Sequence, residues 1–280
     1  MRAMLQKSVR RGFLMHCPAP IKSLAKIFLG SEAIYDKHLL TLGLDRIYST
    51  DTFLCSYPKS GNTWVRFLIG NLLHPDIELT FRNIDRYVPQ VERCPYDLNA
   101  LRRRPIIKTH WPFFSYFPRI IYIYRDPRDV LLSYFHYSTA NGWFEGSYSE
   151  YIRSPAPNYY STWNEHINGA FDFAARNPTK ILILRYENLL ENTQREAGRL
   201  AAFLGLTPEP LELRQAVEKT DFTKLREMEK ISGPETENRA PGFFRKGLAG
   251  QWRNYCCNED IRFIQTICED GMRVAGYARC

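Results

Sequence analysis

Short apolar runs alternate along this chain with longer stretches whose apolar residues recur at helical spacing. Thr52 to Tyr57 is strand-sized and runs straight into the tight sequence Pro58-Lys59-Ser60-Gly61. From Asn62 to Leu73, the residues Trp64, Val65, Leu68, Ile69, Leu72 and Leu73 mark one face of a helix. A second apolar run, Pro105 to Thr109, ends at Lys108-Thr109-His110. A third, Arg119 to Tyr124, ends at Arg125-Asp126-Pro127-Arg128-Asp129 and leads into a helix from about Asp129 to Tyr137. Further helices over Asn158 to Arg176 and Asn192 to Leu204, the latter closed by Gly205, flank a fourth strand from Lys180 to Leu184.

Short apolar strands alternating with helices predict an α/β fold with a central parallel sheet covered by helices on both faces. Active groups in such folds gather at the carboxyl ends of the strands. Lys59, His110, Arg125 and Tyr186 each follow an apolar run. Thr139 to Pro157 and Ile231 to Gly242 read as long loops, of a length that is usually functional or disordered.

Composition narrows the classes. Of 280 residues, 24% are charged and 44% hydrophobic, which excludes a disordered chain, and no run approaches the ~18 apolar residues of a membrane span. One domain over residues 1–280 is expected, with residues 1–45 as a basic helical extension. Arg2, Lys7, Arg10, Arg11, Lys22 and Lys26 all precede the first acid, Glu32. The apolar patch from Gly12 to Met15 is too short for a signal peptide. Both a helix packed on the domain and an amphipathic helix resting on a membrane, through Ile21, Leu24, Ile27 and Phe28, fit this stretch. Seven cysteines, an odd number without Cys-x-x-Cys spacing, argue against a disulfide framework or a zinc site and for a reducing, cytoplasmic setting.

A net charge of +8 asks for an anionic ligand. No basic tract or zinc-finger spacing marks a nucleic-acid module. The Pro58 to Thr63 segment offers a compact alternative, because backbone N–H groups of a tight loop and the open start of a helix bind anions. Gly61 permits close approach, Ser60 and Thr63 bring hydroxyls and Lys59 a charge. Alone, such a loop is also an ordinary turn. It is not the nucleoside triphosphatase motif, in which the lysine follows the last glycine. Arg125 with Ser133 forms a second candidate anion site, although Arg125, Arg128, Asp126 and Asp129 equally make a solvated charge cluster. Arg245-Lys246-Gly247 forms a third. Three separated basic elements suit a ligand phosphorylated at both ends.

Taken in order, these segments resemble the cytosolic-type sulfotransferase family, which uses 3'-phosphoadenosine 5'-phosphosulfate (PAPS). The resemblance runs from about Asp51 to Trp252 and rests on Tyr57 to Trp64, Lys108-Thr109-His110 with Pro112, Arg125 to Ser133, Tyr186-Glu187, Thr220 with Phe222, and Arg245-Lys246-Gly247 with Gly250. It implies a P-loop-like three-layer fold. It further implies that Lys59, Ser60, Gly61, Asn62 and Thr63 bind the 5'-phosphosulfate, and that Trp64, Tyr186, Thr220 and Phe222 surround the adenine. Arg125, Ser133, Arg245, Lys246 and Gly247 would take the 3'-phosphate, with His110 as base, Lys59 and Lys108 assisting, and adenosine 3',5'-bisphosphate (PAP) as product. No metal is implied. Two departures stand out. Gln251 replaces the usual aspartate before Trp252, and the usual dimerisation pattern is absent after Arg253.

The acceptor wall is expected from Trp111, Phe113, Phe114, Tyr116, Trp143, Phe144, Tyr159 and Tyr160, which suit a small apolar or planar molecule carrying a hydroxyl or amine and also cradle cations. Glu145 and Glu150 would serve a cationic acceptor. The competing readings are a small-molecule kinase with a variant phosphate loop and a non-catalytic protein that binds the bisphosphonucleotide.

Overall fold

The computed structural model describes residues 37–92, 97–99, 106–233 and 247–278. Two units, Met1–Thr41 and Leu42–Cys280, partition the chain, and the second carries everything that follows. The basic extension expected over residues 1–45 lies, up to residue 36, outside the described residues, as do Arg245 and Lys246.

Four strands, β1 (Thr52–Ser56), β2 (Ile106–Thr109), β3 (Arg119–Tyr124) and β4 (Ile181–Arg185), form one sheet in the order β2-β1-β3-β4. All three pairings are parallel: Thr52 lies beside Ile106 on one side and Arg119 on the other, and Ile120 lies beside Ile181. β1 and β2 are buried throughout, because helices cover both faces of a parallel sheet and leave no side for polar residues. On one face Leu54, Ile106, Ile121, Ile123 and Leu184 meet Val65, Phe67, Leu68 and Ile69 of helix α1 (Asn62–Leu73). On the other, Phe53 stacks on Phe117 at 3.9 Å and Tyr122 meets Phe114 and His166.

Helix α2 (Pro127–Ala140) starts two residues earlier than its apolar pattern indicates. Asp126 caps it by accepting from the Arg128 N–H, and Pro127 fits the first turn. The stretch from 139 to 157 is not one loop. It contains helix α3 (Tyr148–Arg153), started by a capping box in which Glu150 accepts from the Ser147 N–H at 2.7 Å and Oγ at 2.8 Å. Tyr148, Tyr151 and Ile152 are buried, a helical spacing that the surrounding glycines and serines obscured. Glu150 is thereby committed to a cap.

Helix α4 (Trp163–Arg176) begins at a second capping box, Thr162 with Glu165, so Asn158 lies in a separate short turn, Ala156–Asn158. Helices α5 (Tyr186–Glu191) and α6 (Thr193–Leu204) follow β4, with Asn192 capping α6 and Gly205, at φ 73°, closing it. Helices α7 (Pro210–Lys219) and α8 (Phe222–Ser232) precede the C-terminal helices α9 (Asn258–Ile267) and α10 (Glu269–Val274). Among the described residues no helix is long and apolar enough to cross a membrane, and Cys55, Cys256, Cys257 and Cys268 are free.

Arg66 of α1 is fully buried. Its Nε donates to the Val88 carbonyl at 2.7 Å, and its guanidinium pairs with Asp85 in the short helix Ile84–Tyr87. This pair anchors the segment that leads to Gln90 and Glu92 beside β2. Arg66→Met keeps the length and strands the Asp85 carboxylate, so it should cost about 3–5 kcal/mol. Urea unfolding reads this directly, and a loss under about 1 kcal/mol would assign the anchoring elsewhere.

Candidate active site

The turn between β1 and α1 is built on two left-handed residues. Gly61 has φ 101°, and Lys59, unusually for a residue with a side chain, has φ 68°. Gly61 also lies against the Tyr186 ring, where a Cβ would approach to 2.7 Å. Gly61 supplies no side-chain cap to α1, and no acid stands in the first turn, so the helix start is electropositive. Ser60 Oγ, Asn62 Oδ1 and Trp64 Nε1 are buried without hydrogen-bond partners. Such orphaned polar atoms at a helix start fit a site made for a ligand. Tyr186 stands edge-on to Trp64 at 5.9 Å, and the Arg125 guanidinium lies 4.2 Å from the Tyr186 ring centre. The Lys59 ammonium lies 4.0 Å from the Tyr137 ring centre.

His110 stands one residue beyond β2. Its Nδ1 is 2.8 Å from the carbonyl of Ser56, the last residue of β1. A carbonyl only accepts, so Nδ1 carries the proton and Nε2 of the neutral ring keeps its lone pair. Burial, helped by the nearby Lys108 ammonium, pushes the His110 pKa down to about 3. Behind it lies Glu92, in no motif of the sequence. One carboxylate oxygen accepts from the His110 N–H at 2.7 Å and the Thr109 hydroxyl at 3.1 Å, and the other lies 3.5 Å from Lys108 Nζ. Burial alone would raise the Glu92 pKa, but the positive charge of Lys108 and the His110 N–H bond outweigh it and hold the pKa low. Lys108 Nζ also donates to Gln90 at 3.3 Å.

The charges after β3 are buried, which corrects the solvated-cluster reading. Arg128 donates to both Asp126 oxygens at 2.8 and 2.7 Å and lies over Trp252 at 4.1 Å. Arg125 donates to the Leu248 carbonyl at 2.9 Å and lies 3.7 Å from Asp129. Asp129 accepts from the Gly250 N–H at 2.6 Å and the Trp252 N–H at 3.1 Å. The loop at Gln251 is therefore held through its backbone by Asp129, and the missing aspartate at 251 leaves that anchor in place.

One cavity of about 470 Å³ joins these parts. Lys59, Gly61, Asn62, Thr63, Trp64, Lys108, His110, Arg125, Ser133, Tyr186, Phe222 and Gly247 all line it. Ser60 is buried and absent from the lining, and so is Thr220, whose hydroxyl donates back to the Ala216 and Val217 carbonyls at the end of α7. Gly247, at φ 65°, lies so close to the Phe222 ring that a Cβ would come to 2.4 Å.

Of the expected acceptor aromatics, Trp143, Tyr159 and Tyr160 reach the cavity. Trp111 packs behind Tyr160 at 5.0 Å with Phe113 stacked on it, Phe114 belongs to the core and Tyr116 is exposed, while Phe144 packs on Tyr151. Tyr134, Tyr137 and Ser138, on the α2 face, complete the wall. Their helical spacing from Ser133 was the signal available for them. The aromatic enclosure suits a small-molecule acceptor, and the neutral Nε2 among lysines suits deprotonation of a nucleophile beside an anionic group. Among the described residues no group of three or more His, Cys, Asp or Glu could hold a metal ion.

A model of the sulfotransferase domain matches residues 49–276. The chain is 30% identical to Sulfotransferase 1B1 of Canis lupus familiaris over 73% of this chain and 77% of that protein. It is 28% identical to a flavonol sulfotransferase-like protein of Flaveria bidentis over 89% and 90% respectively. The fold matches that of the mouse sulfotransferase SULT7A1 complexed with PAP, with a TM-score of 0.66 and 24% identity over 84% of this chain and 88% of that one.

Nitrogen-15 spectra of the ligand-free protein at pH 6 should show His110 as a neutral ring with the proton on Nδ1. The low pKa fixes the sign of a second effect. Between an ordinary histidine value near 6.5 and about 3, the unfolded chain binds the extra proton and the folded chain does not, so His110 destabilises the fold as pH falls through that window. A ring half-protonated near pH 6.5 would contradict both.

Proposed function

The chain belongs to the sulfotransferase family, and we propose that it transfers a sulfuryl group from PAPS to a hydroxyl or amine of a small-molecule acceptor, with His110 as the base. The observation that carries the assignment of the base is the Nδ1–H bond from His110 to Ser56. It leaves Nε2 as acceptor in a cavity that Lys59 and Lys108 also line.

His110 Nε2 takes the proton of the acceptor as its oxygen or nitrogen bonds to sulfur, and the bond from sulfur to the bridging phosphate oxygen breaks. Lys59 stabilises the negative charge that grows on that oxygen as PAP departs, and Lys108 meets the equatorial sulfuryl oxygens. The loop from Pro58 to Thr63 acts as a phosphate loop of reversed order, its amides and hydroxyls around the 5'-phosphosulfate. Trp64, Tyr186 and Phe222 take the adenine. Arg125, Ser133 and Gly247 take the 3'-phosphate, joined on the sequence's showing by Arg245 and Lys246. The Thr220 hydroxyl donates its proton back into α7, so toward the adenine it acts as an acceptor.

Two further readings rest on sequence alone, a single domain over residues 1–280 and a cytoplasmic setting, and the usual family dimer is not expected because its pattern is absent after Arg253. Contact of the basic N-terminus with a membrane belongs with them.

Purified protein with labelled PAPS, EDTA and a panel of phenols, alcohols and amines should label at least one acceptor. Phosphorylation from ATP instead would support the kinase reading. His110→Ala should lower turnover by roughly 10²- to 10⁴-fold while PAP affinity is retained. Arg125→Ala should weaken PAP binding by roughly 10- to 100-fold, the worth of a charge-assisted hydrogen bond. Calorimetric titration of PAP into both variants checks the pair, and the reverse ranking would overturn the roles.

A further inference from the structure

Beyond β2 the sheet no longer holds the backbone, yet His110 must present its ring to within a fraction of an ångström. Glu92 fixes its N–H. Its carbonyl is taken by a second histidine, His166 of α4, whose Nε2 lies 3.1 Å away. His166 is fully buried, and burial pushes its pKa down to about 4. The ring is therefore neutral near pH 7, with the proton on Nε2, where the carbonyl requires a donor. Its Nδ1 is then an acceptor, 2.8 Å from the Tyr122 hydroxyl, which also lies 3.2 Å from the His166 carbonyl.

Three aromatic rings keep this imidazole from turning. Tyr122 stacks on it at 5.5 Å and 23°, Phe114 stands edge-on at 5.6 Å and Tyr57 edge-on at 5.9 Å. Tyr57 is also the first residue of the donor loop. His166 thus lies between the loop that binds the donor and the residue that takes the proton, with both nitrogens committed and no face on the cavity.

We propose that His166, held in one tautomer by the His110 carbonyl and in place by Tyr122, is a positioning residue for the reaction: its Nε2–H fixes the His110 carbonyl and thereby aims the His110 ring. The inference rests on the reading of His110 as the base. It predicts a loss in kcat with little change in acceptor KM or PAP affinity, since His166 touches neither ligand. A misplacement of about 1 Å costs on the order of 10²-fold in rate, so a partial release of the ring should cost about 10- to 100-fold.

Two substitutions separate positioning from packing. His166→Gln places an amide N–H where Nε2 stands, and Tyr122 keeps the backbone carbonyl of residue 166 as acceptor. His166→Asn reproduces only the Nδ1 position and loses the donor. We expect His166→Gln to keep kcat within about threefold of wild type, and His166→Asn to lose about 10- to 100-fold in kcat while PAP affinity and KM hold. Equal kcat for the two, at either level, overturns the clamp. Should His166→Asn fail to fold, Tyr122→Phe decides, because it removes the hydroxyl that anchors the Nδ1 side of the ring and leaves the ring stack: a several-fold fall in kcat at constant KM supports the proposal, and unchanged kcat refutes it. His110→Ala is measured alongside. If it retains wild-type turnover, the base assignment itself has failed, which is distinct from a dead His110→Ala beside a fully active His166→Asn, where only the clamp has failed.

Discussion

A parallel sheet supplies hydrogen-bond partners only as far as its strands run, and this one stops where the chemistry begins. β1 ends at Ser56, β2 at Thr109 and β3 at Tyr124, and the residues just beyond carry Lys59, His110 and Arg125. Past that edge each peptide group must find another partner or water. The Ser56 carbonyl takes the His110 ring, the Lys59 carbonyl lies 3.4 Å from Arg125, and the Asp126 N–H donates to Glu187 at 3.1 Å. The end of the ladder opens room for a ligand. The replacement bonds return the rigidity that the ladder no longer provides, and two of them come from His110 and Arg125, which also line the cavity.

The edge also concentrates cations, and acids behind them make that tolerable. Glu92 stands behind Lys108, Asp129 behind Arg125 and Asp126 beside Arg128. A buried charge without such a partner costs several kcal/mol. Each acid has a second use, because a carboxylate can accept on both oxygens. Glu92 holds the His110 N–H, Asp129 the Gly250 and Trp252 N–H groups, and Asp126 the first turn of α2. Counterion and backbone clamp are the same group. Removing one of these acids would disturb charge and geometry together, which is why neutral isosteres separate the two contributions more cleanly than alanine does.

Much of this was legible in the chain. Strand ends, the α1 helix and the order of basic motifs depend on local pattern, so Lys59, His110, Arg125, Tyr186 and Gly247 stood out, with Phe222 added by the family resemblance, before the sheet brought them to one cavity. What stayed hidden is long-range. Glu92 is 18 residues from His110 and His166 is 56 away, and neither sits in a pattern that marks a hydrogen bond. Asp129 was visible as a charge but not as the anchor of a loop 121 residues on. Thr220 shows the converse: the motif names it, while the bonds that its hydroxyl donates to the helix end do not show in the sequence. Helix α3 was missed because its cap, Ser147 with Glu150, lies among glycines and aromatics that read as loop.

Donor and acceptor sides are also mechanically joined. The Tyr57 hydroxyl donates to the Pro157 carbonyl at 2.5 Å, 100 residues away, and Tyr57 is buried. Pro157 begins the stretch that carries Tyr159 and Tyr160 to the cavity, and Tyr160 lies 5.3 Å from the His110 ring. Tyr57, at the start of the turn into α1, therefore also holds the wall beside His110. A molecule pressing on Tyr160 works against a bond that ends at Tyr57, and one that orders the turn between β1 and α1 stiffens the wall in return. Coupling of this kind is reciprocal by necessity. A shift of the Pro157 segment has a direct path to Lys59 through the two bonds on either side of Pro58, whereas the path to Arg125 runs through the Lys59 carbonyl. The end of the cavity lined by Lys59 and His110 should thus sense a ligand at Tyr160 more strongly than the end lined by Arg125, Ser133 and Gly247.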